Sequence, residues 1–327
     1  MPILPESIFS ISYEEEFNAL ALRVFQFQAT YCTVYADFLK YLNIKPDEIA
    51  GIDQIPFLPV EFFKTHKICI NDHGNGLVFS SSGTTGSVQS RHYVSDPAIY
   101  EQSYRRALSI FYGDIRHYAV LALLPSYQER EGSSLIYMVD DLINISSFPQ
   151  SGYFLHNHDE LYETLNSLKE LQIPTILIGV TYALLDFVEN FTTKFPGLIV
   201  METGGMKGKR KEMIREELHQ ILCEGFGVRS IHSEYGMTEL LSQAYSQGSG
   251  IFHCPPWMQI RVRDINDPLT PIEPGKTGGI NIVDLANINS CSFIATQDLG
   301  KQHTDGTFEI LGRFDNSDIR GCNLLVQ

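Results

Sequence analysis

The sequence predicts an α/β layered fold with a largely parallel sheet, followed by a smaller β-rich part. Through the middle of the chain, amphipathic helical patterns alternate with short apolar runs, as expected for strands buried between helices. After residue 250 the pattern changes to short strands separated by Pro, Gly, Asn and Asp turns. We therefore expect an α/β part at residues 1–249 and a β-rich part at residues 250–327.

The N-terminal segment predicts a long helical region. Apolar residues recur at three- and four-residue spacing over residues 13–42, after three glutamates at residues 14–16. Two prolines within residues 55–60 then end any helix, and the apolar run at 77–79 predicts a strand that enters a loop. Further helices are expected near residues 97–112, 133–142, 159–171, 181–190 and 209–223. Further strands are expected at 117–124, 174–178, 197–201, 258–262, 279–283, 292–295 and 307–311.

Charge and hydropathy exclude several classes of partner. The 39 Asp and Glu exceed the 24 Lys and Arg, giving a formal net charge of -15 that disfavours nucleic acid and anionic membranes. The most apolar stretches, residues 118–125 and 173–188, are too short or too interrupted to span a bilayer, which takes about 20 apolar residues. Residues 1–6 have no basic region followed by an apolar one, so we expect a cytoplasmic protein.

The six cysteines are scattered without paired spacing, which favours reduced thiols over a disulfide framework. They are Cys32, Cys69, Cys223, Cys254, Cys291 and Cys322. Two of them, together with His232 and His253, suggest a metal site at first sight. The Cys-x-x-Cys and His-x-x-x-His spacings of zinc ligands are missing, however, so we expect no structural zinc.

Residues 80–87 give the strongest local signal for chemistry, reading Ser-Ser-Ser-Gly-Thr-Thr-Gly-Ser directly after an apolar strand. Glycines let backbone N–H groups approach a triphosphate, and the hydroxyls add donors. The loop lacks the Gly-Lys-Ser/Thr ending of a P-loop, and the chain has no dinucleotide glycine fingerprint. A flexible polar turn is the alternative interpretation.

Four later segments follow this loop in a fixed order. They are residues 202–205 (Glu-Thr-Gly-Gly), 234–239 (Glu-Tyr-Gly-Met-Thr-Glu), 296–298 (Thr-Gln-Asp) and 312–315 (Gly-Arg-Phe-Asp). With the hydroxyl-rich loop, this order resembles the adenylate-forming enzymes, which include acyl-CoA synthetases, peptide-synthetase adenylation domains and luciferases. The resemblance covers more than two hundred residues.

The resemblance implies ATP and Mg²⁺ as cofactors and gives each motif a role. The residues implied for the β- and γ-phosphates are Ser81, Ser82, Gly83, Thr84, Thr85 and Gly86. Those implied for adenine are Thr203, Gly204, Gly205 and, by stacking, Tyr235. Thr238 would contact the α-phosphate, Glu239 would ligate Mg²⁺, and Asp298 and Arg313 would bind the ribose. Taken singly, these residues are equally typical of turns, of a core or of a helix start.

The chain departs from the common adenylating pattern at two places. The phosphate loop usually closes with a lysine, whereas here only Arg91 lies nearby, as a substitute cation or as a sign of weaker phosphate binding. Most members also continue into a small mobile lid that carries a lysine, whereas only twelve residues follow Asp315 here. Adenylation would then proceed without that lysine, or a partner would supply the lid.

The truncated form resembles the acyl-protein synthetases of the LuxE type. Residues 55–64, 124–138 and 320–322 carry this second resemblance. It implies that Cys322 accepts the acyl group from the adenylate as a thioester, and Arg320 would lower the pKa of that thiol. Without the resemblance, Cys322 is equally typical of a small apolar residue at a strand end. Arg130, Ser133 and Ser134 are candidates for the acyl or phosphate pocket, or for a helix cap and a surface charge.

These resemblances therefore imply a ligase that activates a carboxylic acid as acyl-AMP, and we expect a fatty acid as the substrate. Cys322 would pass the acyl group to a partner such as a reductase or an acyl carrier protein. One alternative is direct delivery to coenzyme A or a carrier thiol, with Cys322 structural. A second is a non-catalytic nucleotide-binding module.

Overall fold

The fold is taken from a computed structural model, which describes residues 3–70, 76–81, 88–125, 132–204, 210 and 213–314. The helices are α1 (Pro5–Phe9), α2 (Glu14–Tyr31), α3 (Thr33–Tyr41), α4 (Phe62–Thr65), α5 (Pro97–Tyr112), α6 (Ser134–Ile145), α7 (His158–Glu170), α8 (Thr181–Asn190) and α9 (Arg215–Phe226). The strands are β1 (Leu58–Pro59), β2 (Leu77–Ser80), β3 (Arg91–Val94), β4 (Ala119–Leu123), β5 (Gly152–Tyr153), β6 (Thr175–Val180), β7 (Leu198–Thr203), β8 (His232–Tyr235), β9 (Ala244–Ser246), β10 (Met258–Arg263), β11 (Thr277–Asp284), β12 (Phe293–Gln302) and β13 (Phe308–Arg313). The predicted α/β fold class is confirmed.

The chain divides into two compact units. The central unit comprises residues 71–255, and the terminal unit combines residues 1–70 with residues 256–327. The expected division at residue 249 lies close to the second boundary. That expected division placed residues 1–70 in the α/β part. In the structure, these residues belong to the same unit as the C-terminal strands.

A six-stranded sheet organises the central unit, in the order β5-β4-β6-β7-β8-β9. All neighbouring strands from β5 to β8 are parallel, and β9 is antiparallel to β8. Strands β4 and β6 are buried along their whole length, as expected for parallel strands with helices packed on the sheet. Because the strands run the same way, their carboxyl ends meet at one edge, where open α/β sheets bind ligands.

A two-stranded hairpin, β2–β3, forms a separate part of the central unit. Its buried Phe79 packs edge-to-face on Tyr100 of α5, with ring centroids 5.4 Å apart, and on Tyr137 of α6 at 5.6 Å. Helix α5 begins at an Asp96 cap with Pro97 in its first turn, which is the start predicted by the sequence. This aromatic cluster fixes the hairpin to the helices of its own unit.

The terminal unit contains a sheet in the order β1-β12-β11-β10, with β13 paired to β12. Strand β1 is parallel to β12, opposite residues Ile294 and Ala295, and so joins the two ends of the chain. Buried Gln28 of α2 adds to this connection, because its Nε2 donates to the carbonyl of Asn287 at 3.0 Å and its Oε1 accepts from the N–H of Ser292 at 2.9 Å. These pairings explain why residues 1–70 belong with the C-terminal strands.

The expected helical region at residues 13–42 is two helices. Buried Cys32 between them has an extended backbone, with φ of -91° and ψ of 97°, so the α2 helix ends there and α3 starts anew. Tyr35 in α3 then packs against Phe293 of β12, with ring centroids 6.2 Å apart, and its hydroxyl donates to the carbonyl of Pro56 at 2.6 Å. The break turns this aromatic side chain toward the core of the terminal unit.

Candidate active site

Two predicted motifs meet at the carboxyl edge of the central sheet. Strands β7 and β8 are parallel neighbours in a register that sets Thr203 opposite Glu234. The hydroxyl of buried Thr203 donates to Glu234 Oε2 at 2.6 Å, so each motif orients a side chain of the other. Gly204 follows with a positive φ of 61°, which turns the chain away from the strand. Gly205 lies outside the described residues.

Tyr235 ends strand β8 beside this pair. It is partly exposed and packs edge-to-face on buried Phe252, with ring centroids 6.0 Å apart. A Cβ atom added to the following Gly236 would lie only 2.5 Å from Glu234 Oε1, so the missing side chain makes room for that carboxylate. The structure thus brings Thr203, Gly204 and Tyr235 to neighbouring strand ends.

Thr238 and Glu239 occupy the two central positions of a turn. The turn is closed by the N–H of Leu240, which donates to the carbonyl of Met237 at 3.1 Å. Glu239 is buried, with 6% of its surface exposed, whereas Thr238 is half-buried. This turn follows directly from strand β8, so both residues stay close to the strand end that carries Tyr235.

Ser81 lies at the base of the hydroxyl-rich loop. Its N–H donates to the carbonyl of Ser90 at 3.1 Å, and its hydroxyl accepts from the N–H of Ser90 at 3.0 Å. The Ser81 side chain therefore holds the two ends of the loop together. The other predicted phosphate ligands, Ser82, Gly83, Thr84, Thr85 and Gly86, lie outside the described residues. Arg91 is exposed and alternates with the buried side chains of β3.

A histidine that the sequence did not indicate connects this hairpin with the turn. His92 of β3 is fully buried, and its Nδ1 lies 2.9 Å from the carbonyl oxygen of Thr238. The available signal was its spacing, since Ser90 and His92 are two residues apart and both are buried beside the loop. In this hairpin, sequence reasoning treated only the loop and Arg91 as functional.

Glu202 lies on the opposite face of β7 from Thr203, because side chains alternate along a strand. Its carboxylate accepts from the hydroxyl of Thr181 at 3.0 Å and from the hydroxyl of Ser233 at 2.9 Å, and His219 Nε2 lies 3.4 Å away. The carboxylate thereby joins β7 to β8, to the first residue of helix α8 and to helix α9. The motif containing Glu202 was predicted, but this role was not.

The environment of Glu202 favours its charged form. Burial acts to raise the pKa of its carboxyl, but hydrogen bonds from His219 and Ser233 and the charge of Arg215 outweigh burial and hold the pKa below its usual value. Glu202 is therefore an ionised, hydrogen-bonded carboxylate at neutral pH. It stabilises the sheet edge on which the predicted nucleotide residues lie.

Ser133 caps helix α6, since its hydroxyl accepts from the N–H of Ile136 at 3.4 Å. Ser134 is the first residue of the helix, and its carbonyl accepts from the hydroxyl of Tyr100 at 3.0 Å. Of the two interpretations offered for these serines, the helix cap describes Ser133. Arg130 lies outside the described residues.

The two residues predicted for the ribose are neighbours within the terminal unit. Asp298 of β12 and Arg313 of β13 are directly opposite in the antiparallel register, with Arg313 Nε 3.4 Å from Asp298 Oδ1. The side chain of Arg313 is 68% exposed, so this ion pair fixes it only weakly. The last motif residue, Asp315, and the predicted thiol Cys322 with Arg320 lie outside the described residues.

Arg263 is a second residue that sequence reasoning missed. This buried arginine donates to the carbonyls of Ile280 at 2.7 Å and Thr296 at 2.6 Å, and to Asn281 Oδ1 at 2.8 Å. A Cβ atom on Gly279 would lie 2.7 Å from its Cζ, so the glycine makes room for the guanidinium. The paired glycines at 278–279 were the signal for this close approach. Through its bond to the Thr296 carbonyl, Arg263 holds the first residue of the motif at 296–298 in place.

The described residues also bear on metal binding and on membrane spanning. Within it, no group of three or more His, Cys, Asp or Glu side chains is arranged to hold a metal ion. In the same residues, none of the helices combines the length and the apolar character needed to cross a bilayer.

Comparison with known proteins agrees with the geometry of the fold. Residues 137–327 match the model of a family described as acyl-protein synthetase, LuxE. The long-chain-fatty-acid–luciferin-component ligase of Vibrio harveyi is 24% identical over 315 residues, covering 89% of this chain and 82% of that protein.

Solved structures show a similar fold at lower sequence identity. An open conformation of 2-hydroxyisobutyryl-CoA ligase, in complex with 2-HIB-AMP and CoA, has a TM-score of 0.67 at 12% identity, covering 92% of this chain and 70% of that chain. ATP-bound MatB from Rhodopseudomonas palustris has a TM-score of 0.54 at 18% identity, covering 72% of this chain. The match spans 47% of the MatB chain, about half its length.

The solved structures show that this chain shares the fold of 2-hydroxyisobutyryl-CoA ligase and MatB, which is the fold class expected from the sequence. More specifically, the chain belongs to the LuxE family of acyl-protein synthetases, because the family model matches more than half of its length. This membership makes the protein a ligase of the acyl-protein synthetase type.

Proposed function

We propose that this protein uses ATP and Mg²⁺ to convert a long-chain fatty acid into an acyl-adenylate, and that Cys322 then takes the acyl group as a thioester for delivery to a partner protein. One observation carries the adenylation step. In the central unit, the ends of β7 and β8, the turn with Thr238 and Glu239, and the hairpin with Ser81 are connected by direct hydrogen bonds. Residues from three separate motifs are thus held at one edge of a parallel sheet.

The chemistry of the first step suits residues that bind and orient. A carboxylate oxygen of the acid attacks the α-phosphorus of ATP, and the bond to the leaving pyrophosphate breaks. Donors from the hydroxyl-rich loop and Thr238 would offset negative charge on the phosphates. Tyr235, at the end of β8, would stack on the adenine, and Thr203 and Gly204 would line it.

Glu239 fits the proposed magnesium ion by its donor chemistry. Mg²⁺ is commonly held by one or two carboxylates together with the phosphates of a nucleotide, and Glu239 supplies a carboxylate at a turn linked to the phosphate-loop hairpin. When bound, the ion would neutralise phosphate charge. A buried carboxylate with 6% exposure also gains from a cation, because burial alone penalises its charge.

The second step is proposed from family membership. The thiolate of Cys322 attacks the acyl carbon, the bond to AMP breaks, and AMP leaves as the thioester forms. The name of the Vibrio harveyi relative supports a long-chain fatty acid as substrate and a protein component as partner. A reductase or an acyl carrier protein would be that partner, and we place the reaction in the cytoplasm.

Acid-dependent exchange of labelled pyrophosphate into ATP tests the first step. A panel of fatty acids of increasing chain length, with short and aromatic acids for comparison, should give exchange that is greatest for the long chains. Absence of exchange with every acid, including in the presence of candidate partner proteins, would leave a non-catalytic nucleotide-binding module as the better description.

Denaturing electrophoresis after incubation with labelled acid and ATP tests the second step. We expect hydroxylamine-labile label on the wild type and none on Cys322→Ser, with pyrophosphate exchange retained. Cys223→Ser is the matched control, because burial raises the pKa of the Cys223 thiol and makes it a poor nucleophile. Unlabelled wild-type protein with active exchange would instead indicate direct transfer to coenzyme A or a carrier thiol.

A further inference from the structure

Buried His92 contacts the backbone of a turn that is distant in the sequence. Its side chain is fully buried, and its Nδ1 lies 2.9 Å from the carbonyl oxygen of Thr238, 146 positions later in the chain. A carbonyl oxygen only accepts hydrogen bonds, so Nδ1 carries the hydrogen and donates it. This bond therefore requires a hydrogen on Nδ1.

The acceptor belongs to the central peptide of the turn between Met237 and Leu240. A central peptide of this kind can rotate while the bond that closes the turn is kept, and this rotation distinguishes type I from type II turns. A donor on the Thr238 carbonyl selects one orientation. Because the C=O and N–H of a trans peptide point in opposite directions, the same bond also directs the N–H of Glu239.

The other end of the contact is the base of the hydroxyl-rich loop. His92 follows two residues after Ser90, which closes that loop through two hydrogen bonds to Ser81. Ser90 and His92 point to the same face of β3, and both are buried. A single side chain therefore couples the hairpin that carries the phosphate loop to the turn that carries Thr238 and Glu239.

We infer that His92 is a positioning residue for ATP: its Nδ1–H fixes the turn of Thr238 and Glu239 relative to the β2–β3 hairpin, and so orients the two residues proposed for the α-phosphate and the metal ion. This inference rests on the proposed adenylation function. It assigns His92 no proton transfer and no contact with the substrate. Its effect should appear in the KM for MgATP, because the groups it aligns are those proposed for the phosphates and the metal ion.

Three substitutions at this position separate a hydrogen-bonding role from a packing role. His92→Asn keeps a donor where Nδ1 lies, His92→Gln moves the amide to where Nε2 lies, and His92→Leu removes the donor but keeps an apolar group. Exposed His117→Leu serves as the control for loss of a histidine. Exchange kinetics are measured against MgATP and against fatty acid, and melting temperatures are measured without nucleotide.

We expect His92→Leu and His92→Gln to raise the KM for MgATP by about tenfold, with the KM for fatty acid within about twofold of wild type. His92→Asn should restore the KM for MgATP to within about threefold. If His92→Leu fails to fold, the comparison of Asn with Gln still decides the question.

If the wild type catalyses exchange, two results would overturn the inference about His92 and leave the proposed function intact. They are equal kinetics for the Asn and Gln variants, and variants that lower the melting temperature while both KM values stay at wild type. A wild type that shows no exchange with any acid overturns the proposed function, and this inference with it.

Discussion

Replacing Glu202 by leucine should destabilise the central unit strongly. The carboxylate accepts two hydrogen bonds, at 3.0 Å from Thr181 and at 2.9 Å from Ser233, and its side chain is only 12% exposed, so solvent screens these bonds little. Hydrogen bonds to a charged group contribute about 1.5–3 kcal/mol each, and rearrangement of the two hydroxyls recovers part of that. The net loss should be about 3 kcal/mol.

A loss of about 3 kcal/mol lowers the melting temperature of a unit of this size by roughly 6–12 °C. Scanning calorimetry at pH 7 should therefore show the transition of the central unit shifted by that amount in Glu202→Leu. Exposed Glu163→Leu on α7 is the matched control and should shift it by less than roughly 2 °C. If Glu202→Leu melts at the same temperature as the control, Glu202 does not stabilise the junction of β7 and β8 with helices α8 and α9.

The dependence on pH gives an independent check of the same residue. Since the folded pKa of Glu202 lies below its ordinary value, its contribution is complete above the unfolded pKa of about 4.3 and is lost as the pH falls through the folded pKa. Glu202→Gln cannot titrate, so the gap in melting temperature between wild type and Glu202→Gln should be largest above about pH 5. The gap should shrink as the pH falls below about 4. A gap that stays constant across this range would contradict the lowered pKa.

Three further substitutions test other parts of the structure. Gln28→Leu should destabilise the terminal unit by about 2–4 kcal/mol, because the carbonyl of Asn287 and the N–H of Ser292 lose their buried partner. Amide hydrogen exchange should become faster in the terminal unit and stay unchanged in the sheet of the central unit. Arg263→Lys should cost about 2–3 kcal/mol in denaturant unfolding, because an ammonium cannot reach both the Ile280 and Thr296 carbonyls. Gly236→Ala should push the Glu234 carboxylate away from Thr203 and so raise the KM for ATP at least about threefold. Gly51→Ala is the control, because no atom lies within 4 Å of the added Cβ, and it should leave the KM for ATP unchanged.

The elements of the central unit were largely predictable from sequence because their signals are local. Helices α5 and α8 match the expected ranges at 97–112 and 181–190, and an Asp cap followed by proline marks the start of α5. The strands β4, β6 and β7 follow from short apolar runs between turn formers. Parallel pairing of β7 with β8 then brings the motifs at 202–205 and 234–239 together, as their order suggested.

The remaining features depend on contacts that no local pattern encodes. The grouping of residues 1–70 with the C-terminal strands rests on Gln28 and β1, whose partners lie more than 230 positions away. The link from His92 to Thr238 spans 146 positions, and a lone histidine on a strand gives no sign of its partner. The sequence did not indicate that the hydroxyl of Ser81, predicted as a phosphate ligand, also accepts from the N–H of Ser90, because Ser90 lies near it only once the hairpin forms.

The divided origin of the terminal unit sets the order in which the nascent chain can fold. Residues 71–255 are contiguous, so the central unit can fold soon after it leaves the ribosome. Helices α2 and α3 emerge first, yet Phe293 and the other partners of their apolar faces appear only after more than two hundred further residues. At about 5–20 residues per second, that delay is roughly 10 to 50 s. During this delay the side chains of Phe25 and Tyr35 cannot yet pack on Phe293, so slower translation of the intervening residues would prolong the time in which these apolar groups can aggregate.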